Sequence, residues 1–160
     1  MPKHQPVTLF IQCLVDGLYP EVAEAVVRVF NKLNIDVDYP LDQTCCGQPA
    51  FNAGYRQEAK TAARHFIEIF EKAHVIVCPS GSCVSMVRHH YGELFAKEPR
   101  WQARADAVAT KTYELTEYLV DVAGVTDLGA RYDGTVTYHD SCHLLRVIGV
   151  QQQPRQLIRY

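Results

Sequence analysis

No stretch of this 160-residue chain approaches the ~20 consecutive apolar residues that a membrane-spanning helix needs. No basic tract interrupts its balance of 16 Lys and Arg against 18 Asp and Glu, so nucleic-acid binding has no electrostatic footing. The opening MPKHQPVTLFIQ carries no secretory leader, its apolar part being short and soon interrupted. A Ser-His-Asp or Cys-His catalytic set is also missing, and no catalytic acid or base is assigned. With 48% hydrophobic and 21% charged residues, the composition is that of an ordinary soluble domain long enough to bury a core. A cytoplasmic location is expected, where thiols stay reduced and clustered cysteines bind metal or do redox chemistry more often than they form structural disulfides.

Against those absences stand six cysteines in ordered series: Cys13, Cys45 and Cys46, Cys78, Cys83 and Cys142. Thirty-two positions separate Cys13 from Cys45, and again Cys46 from Cys78. Several close a β-type run: VTLFIQ before Cys13, HVIV before Cys78, VTYHDS before Cys142. Strands are predicted at Val7–Gln12, Ile35–Tyr39, His74–Cys78 and Thr135–His139. Helices are expected between them. The first has Pro20 in its opening turn and a buried stripe of Leu18, Val22, Ala25/Val26, Val29/Phe30 and Leu33. The second covers residues 55–73, the third residues 84–95 and a long one residues 101–122. Such alternation predicts a three-layer α/β/α domain on a parallel sheet, whose strand ends gather the cysteines along one edge.

The VTLFIQC and VTYHDSC segments place Val-Thr six positions before a cysteine, a modest sign of an internal repeat. Residues 1–132 are accordingly read as a first cysteine-rich domain, and residues 133–160 as the start of a truncated second one.

Each cysteine has a plain alternative reading. Cys78 continues an apolar strand and is read as a small core residue. The Cys45-Cys46 pair lies in the polar loop DQTCCGQPAFNAG, so a ligand or redox role suits it better. Cys78-x4-Cys83 fits the spacing of a zinc knuckle loosely; adjacent cysteines do not, because neighbouring side chains point apart. A multinuclear centre tolerates that divergence, and thiolates are what iron–sulfur clusters require. Ser80-Gly81-Ser82 should lead into a helix whose start favours a Cys83 thiolate. A vicinal disulfide would strain the backbone and is the minor option. His89 and His90 read as a solvated helix face, while His139 and His143 flank Cys142 at a polar strand end.

The phrases CLVDGLYP, TCCGQPAFNAGY, PSGSC followed by MVRHHY, KTYELTEYL and HDSCH resemble the iron–sulfur subunit family of the lactate-utilisation system. That family sits within the cysteine-rich CCG superfamily, with the B subunit of heterodisulfide reductase, the glycolate oxidase iron–sulfur subunit and the C subunit of anaerobic glycerol-3-phosphate dehydrogenase. The family motif is a single cysteine, a Cys-Cys-Gly and a Cys-x-x-Cys, occurring twice per protein. The resemblance implies Cys13, Cys45, Cys46 and Cys83 as ligands of an iron–sulfur cluster of the 4Fe–4S kind, with zinc as the alternative. Ser80 stands where the first cysteine of Cys-x-x-Cys belongs, which leaves the cluster type open, and Cys78 is not expected to replace it. Cys142 would be the first ligand of a second motif. The implied function is electron transfer within an oxidoreductase complex converting L-lactate to pyruvate, alongside other iron–sulfur subunits. Glycolate or glycerol-3-phosphate oxidation, or a zinc-holding docking module, are the alternatives. The 160 residues alone are expected to be inactive on lactate.

Overall fold

The computed structural model describes residues 6–159; residues 1–5, on which part of the leader reading falls, and residue 160 lie outside it. Four short strands form one sheet: β1 (Val7–Leu9), β2 (Val37–Asp38), β3 (Ile76–Cys78) and β4 (Thr112–Glu114), in the order β2-β1-β3-β4. Every pairing is parallel, with Val7 opposite Val37, Thr8 opposite Ile76, and Cys78 opposite Glu114. All carboxyl ends therefore share one edge.

Strand parity sorts the core into two layers. Val7, Leu9 and Val77 face one side, packing with Val26, Phe30 and Tyr118. Phe10, Ile76 and Cys78 face the other, packing with Phe66, Phe70, Met86 and Tyr91. The first layer is covered by α1 (Cys13–Leu18) and α2 (Pro20–Lys32), the second by α3 (Gln48–Asn52) and α4 (Arg56–Phe70). Phe10 stands edge-on to Phe66 at 4.9 Å and to Phe70 at 5.6 Å, geometry in which ring edge meets ring face. Layers of helix on both sides of a parallel sheet match the expected fold class.

After β3 the chain enters α5 (Gly81–Ser85), a π-helical turn at Met86–His90 and α6 (Tyr91–Leu94). Then come α7 (Pro99–Ala109), β4, and α8 (Leu115–Glu117) running into a second π-turn at Tyr118–Val122. Last are α9 (Cys142–Arg146) and α10 (Gln152–Arg159). Arg88, from the first π-turn, grips Glu117 with two bonds of 3.0 and 2.9 Å and donates to the Thr112 carbonyl at 2.7 Å. That fork fixes the start of β4 and α8 against the first π-turn.

Three sequence expectations fail here. The long helix over 101–122 is broken, because Thr112-Tyr113 are β-formers and the Lys111 carbonyl accepts from Ile76 N–H at 2.8 Å, capturing this stretch as the sheet's edge. Residues 135–139 carry no strand. They pair with neither edge strand, β2 or β4, and Val136 is more than half exposed. The helical stripe is also shorter than expected. Val26 and Phe30 are buried, but Leu18, on the separate helix α1, and Val22, in the first turn of α2, are exposed.

Candidate functional site

At the carboxyl edge, three loops and the last residue of β3 bring five cysteines into one row. Strand β1 ends at Leu9 and delivers Cys13 to the first residue of α1. The β2–α3 loop carries Cys45 and Cys46, and the turn after β3 carries Cys83 into α5. Cys46 Sγ lies 3.3 Å from Cys83 Sγ. The protonation of Cys13 is linked to that of Cys45, of Cys45 to Cys46, and of Cys83 to Cys78, giving the succession Cys13, Cys45, Cys46, Cys83, Cys78. Its two ends differ in burial: Cys13 is exposed and Cys45 half-buried, whereas Cys46, Cys83 and Cys78 are all buried, at 2%, 7% and 0% exposure. Cys142 stands apart, exposed at the first residue of α9 beside a small cleft lined by Tyr138, His139 and Asp140.

The sequence dictates this loop geometry locally. Gly47 has φ +85°, and a Cβ there would sit 3.1 Å from both the Ala59 carbonyl oxygen and Ala62 Cβ, so only glycine suits the turn that follows the cysteine pair. Its amide also donates to Cys45 Sγ at 3.4 Å. Tyr91, fully buried, donates its hydroxyl to the Cys46 carbonyl at 3.0 Å. Gln48 donates to the Ser82 carbonyl at 2.9 Å and so ties the pair to the start of α5. Ser80 caps α5, its Oγ accepting from Cys83 N at 3.4 Å.

Gln43 is a residue that sequence reasoning missed. Its Oε1 accepts from Ile11 N at 2.7 Å, while Nε2 donates to the carbonyls of Leu9 at 3.2 Å and Pro40 at 2.9 Å. The side-chain amide thus imitates one more strand residue beside β1's end. It holds the loop two residues before Cys45 against the segment two residues before Cys13. The only sequence signal was position: an amide near the loop, at the same 32-residue offset that separates the two cysteines. Gln43→Ala should orphan the buried Ile11 N–H and lower stability by about 2–3 kcal/mol in urea denaturation.

Electrostatically, the row divides into thiolates and thiols. Cys83 is held down to about 3, first by the Cys46 thiol, then by that of Cys78, with the Ser80 and Ser82 hydroxyls adding to the effect. Cys45 is lowered to about 5, chiefly because Cys46 donates to it. Cys46 is correspondingly raised, since its proton serves both neighbours. Cys13 is pushed up to about 11 by burial and by its bond to Cys45. Burial also raises Cys78. Cys83 and Cys45 are thus the sulfurs whose surroundings most favour the thiolate, the form in which sulfur binds soft metals.

The chemistry of the donors is uniform: sulfur only, with no carboxylate or imidazole in the row. Among the described residues, no three His, Cys, Asp or Glu side chains converge as a ready pocket for one metal ion. A row of sulfurs from three loops instead suits a centre that several sulfurs share, or one that draws them in on binding. A cleft of about 900 Å³ lies elsewhere, bounded by residues between 127 and 137 and by Leu157 and Ile158 of α10.

Comparison with known proteins places these residues in context. The CCG cysteine-rich domain family matches residues 7–88, the span that holds the whole row. The chain is 49% identical over 154 residues to lactate utilization protein A of Exiguobacterium sp., covering 95% of this chain and 62% of that protein. It is 50% identical over 152 residues to lactate utilization protein A of Bacillus cytotoxicus (95% and 63%) and 48% identical over 152 residues to that of Macrococcus caseolyticus (95% and 62%). The chain therefore spans less than two thirds of the length of these relatives. No solved structure matches it. No helix among the described residues is long and apolar enough to cross a membrane.

Proposed function

The chain belongs to the cysteine-rich CCG domain family, and on that footing we propose that Cys13, Cys45, Cys46 and Cys83 hold an iron–sulfur cluster and that the protein carries electrons in lactate utilisation. The observation that carries the reading is the contact between sulfurs remote in sequence: Cys46 and Cys83, 37 residues apart, meet at 3.3 Å, and Cys45 and Cys13 continue the row to the surface. Neighbouring cysteines whose thiols engage different partners, Cys45 toward Cys13 and Cys46 toward Cys83, suit a centre with several metal atoms better than a single tetrahedral ion. When bound, such a cluster supplies one-electron transfer at a potential set by burial, charge and hydrogen bonds to sulfur.

The chain's own residues would do the rest. Cys46 and Cys83 anchor from the buried side and Cys13 from the open side. The Gly47 amide donates to the Cys45 sulfur, and the Ser80 and Ser82 hydroxyls stand beside Cys83, so these groups would tune the charge held on sulfur. Gln43, Gln48 and Tyr91 fix the loops so that little ordering remains on binding. The relatives' name, lactate utilization protein A, supports a role in lactate utilisation; in this reading L-lactate is the substrate of the whole assembly and other iron–sulfur subunits are its partners. Residues 1–132 form the first cysteine-rich unit in this reading. The segment from 133 opens a second, its helix α9 beginning at Cys142 as α1 begins at Cys13.

Anaerobic purification with iron, zinc and inorganic sulfide quantified tests the cofactor. Iron with sulfide and a broad visible sulfur-to-iron absorption is expected. Stoichiometric zinc without iron, even after anaerobic reconstitution, replaces electron transfer by a zinc-holding docking role. Deleting the gene should abolish growth on L-lactate. Normal growth on lactate in a strain with no other lactate oxidase, but a defect on glycolate or glycerol phosphate, would move the substrate to those compounds.

A further inference from the structure

Cys78 occupies a position that a core cysteine does not need. Strand parity turns it to the same side of the sheet as Cys46 and Cys83, within one packed layer. Its Sγ donates to Gln12 Oε1 at 3.8 Å, and the turn Pro79–Ser82 returns the chain to Cys83 in the same packed layer, near enough that the two thiols influence each other's protonation. Gln12 is itself buried, 7% exposed, and precedes Cys13 directly. An amide oxygen placed in a core beside a thiol is a costly arrangement if the thiol only fills space. A small apolar residue would fill the same volume without it. The inner end of the row is thus lined by polar groups: the Gln12 amide, the Ser80 and Ser82 hydroxyls and two thiols.

We propose that Cys78 is a fifth sulfur ligand of the centre, closing the row at its buried end. This rests on the reading of the row as a metal site. On binding, the Cys78 S–H bond breaks and a sulfur–metal bond forms, the proton passing to solvent. The Cys78-x4-Cys83 segment then supplies two ligands, and the serine at position 80 acts as helix cap and hydrogen-bond donor. Gln12, whose oxygen accepts from the free thiol, holds the side chain in place before the metal arrives.

Cadmium alone is the probe, in the Cys142→Ser chain so that the exposed sixth sulfur does not contribute. The ultraviolet sulfur-to-cadmium band at saturation, calibrated per thiolate, should correspond to five sulfurs in this parent. It should fall by about a fifth in Cys78→Val, which keeps the buried volume, and equally in Cys78→Ser, which keeps a polar partner for Gln12. Proton release on cadmium binding should fall in the same variants. A calibrated band of four sulfurs in the parent, or one unchanged in either folded variant, overturns the proposal while leaving the site itself intact. A parent that gives no such band removes both this assignment and the metal reading beneath it.

Discussion

Replacing Cys83 with serine should remove nearly all bound iron after anaerobic reconstitution, a loss of at least about tenfold in iron per chain, with the visible absorption gone. Cys83 occupies the junction of the row. Cys46 reaches it from the Cys-Cys-Gly loop at 3.3 Å, and Cys78 reaches it from β3. It is also the sulfur most strongly favoured as an anion, because thiols and hydroxyls donate to it from several sides. A serine hydroxyl is a harder donor that stays protonated at neutral pH, so it offers soft metals neither charge nor affinity. The fold should survive. The change replaces one small buried side chain within a short helix, and the Ser80 cap on residue 83's amide is unaffected. Thermal melting of the metal-free variant checks this. Melting near that of the parent together with lost iron assigns the effect to ligation, whereas full iron retention would show that the row does not bind through its junction.

Gly47→Ala should cost about 2–5 kcal/mol and lower the melting temperature by roughly 5–15 °C. Two independent penalties combine. An L-residue at φ +85° pays for the left-handed region, and the added methyl meets a backbone oxygen at 3.1 Å on α4, where α4 cannot give way without disturbing Ala59 and Ala63 in the core. The loss is large against the 5–15 kcal/mol that holds a typical domain together. Because residue 47 directly follows the cysteine pair, the same shift rotates Cys46 away from Cys83, and metal loading should fall as well. A melting temperature within about 2 °C of the parent would show that α4 yields without strain.

How much was legible beforehand follows from how local each signal is. The gathering of Cys13, Cys45, Cys46 and Cys83 could be read because parallel strands put every exit on one edge, a rule that needs only the order of elements. The alternation that revealed β1, β2 and β3 is likewise a local pattern of apolar and β-branched residues. β4 escaped because Thr112 and Leu115 fit a helical stripe as well as a strand. Only the captured Lys111 carbonyl, a contact with Ile76 far away in sequence, decides between them. The strand expected at 135–139 has the local features of one, and still pairs with no strand among the described residues. Cys78 looked like core because it is core. That its sulfur also turns toward Cys83 depends on the path of the Pro79–Ser82 turn, which no spacing rule supplies. Gln43 was invisible for the same reason, since a glutamine replacing a strand residue has no motif.

The gradient of burial along the sulfur row has a consequence for the life of the protein in air. Peroxide or oxygen arriving from solvent meets Cys13 and Cys45 first, while Cys46, Cys83 and Cys78 lie behind them in a sealed layer. Corrosion should therefore begin at the mouth and proceed inward, and a chain damaged at its rim can still keep three reduced sulfurs from which repair could start.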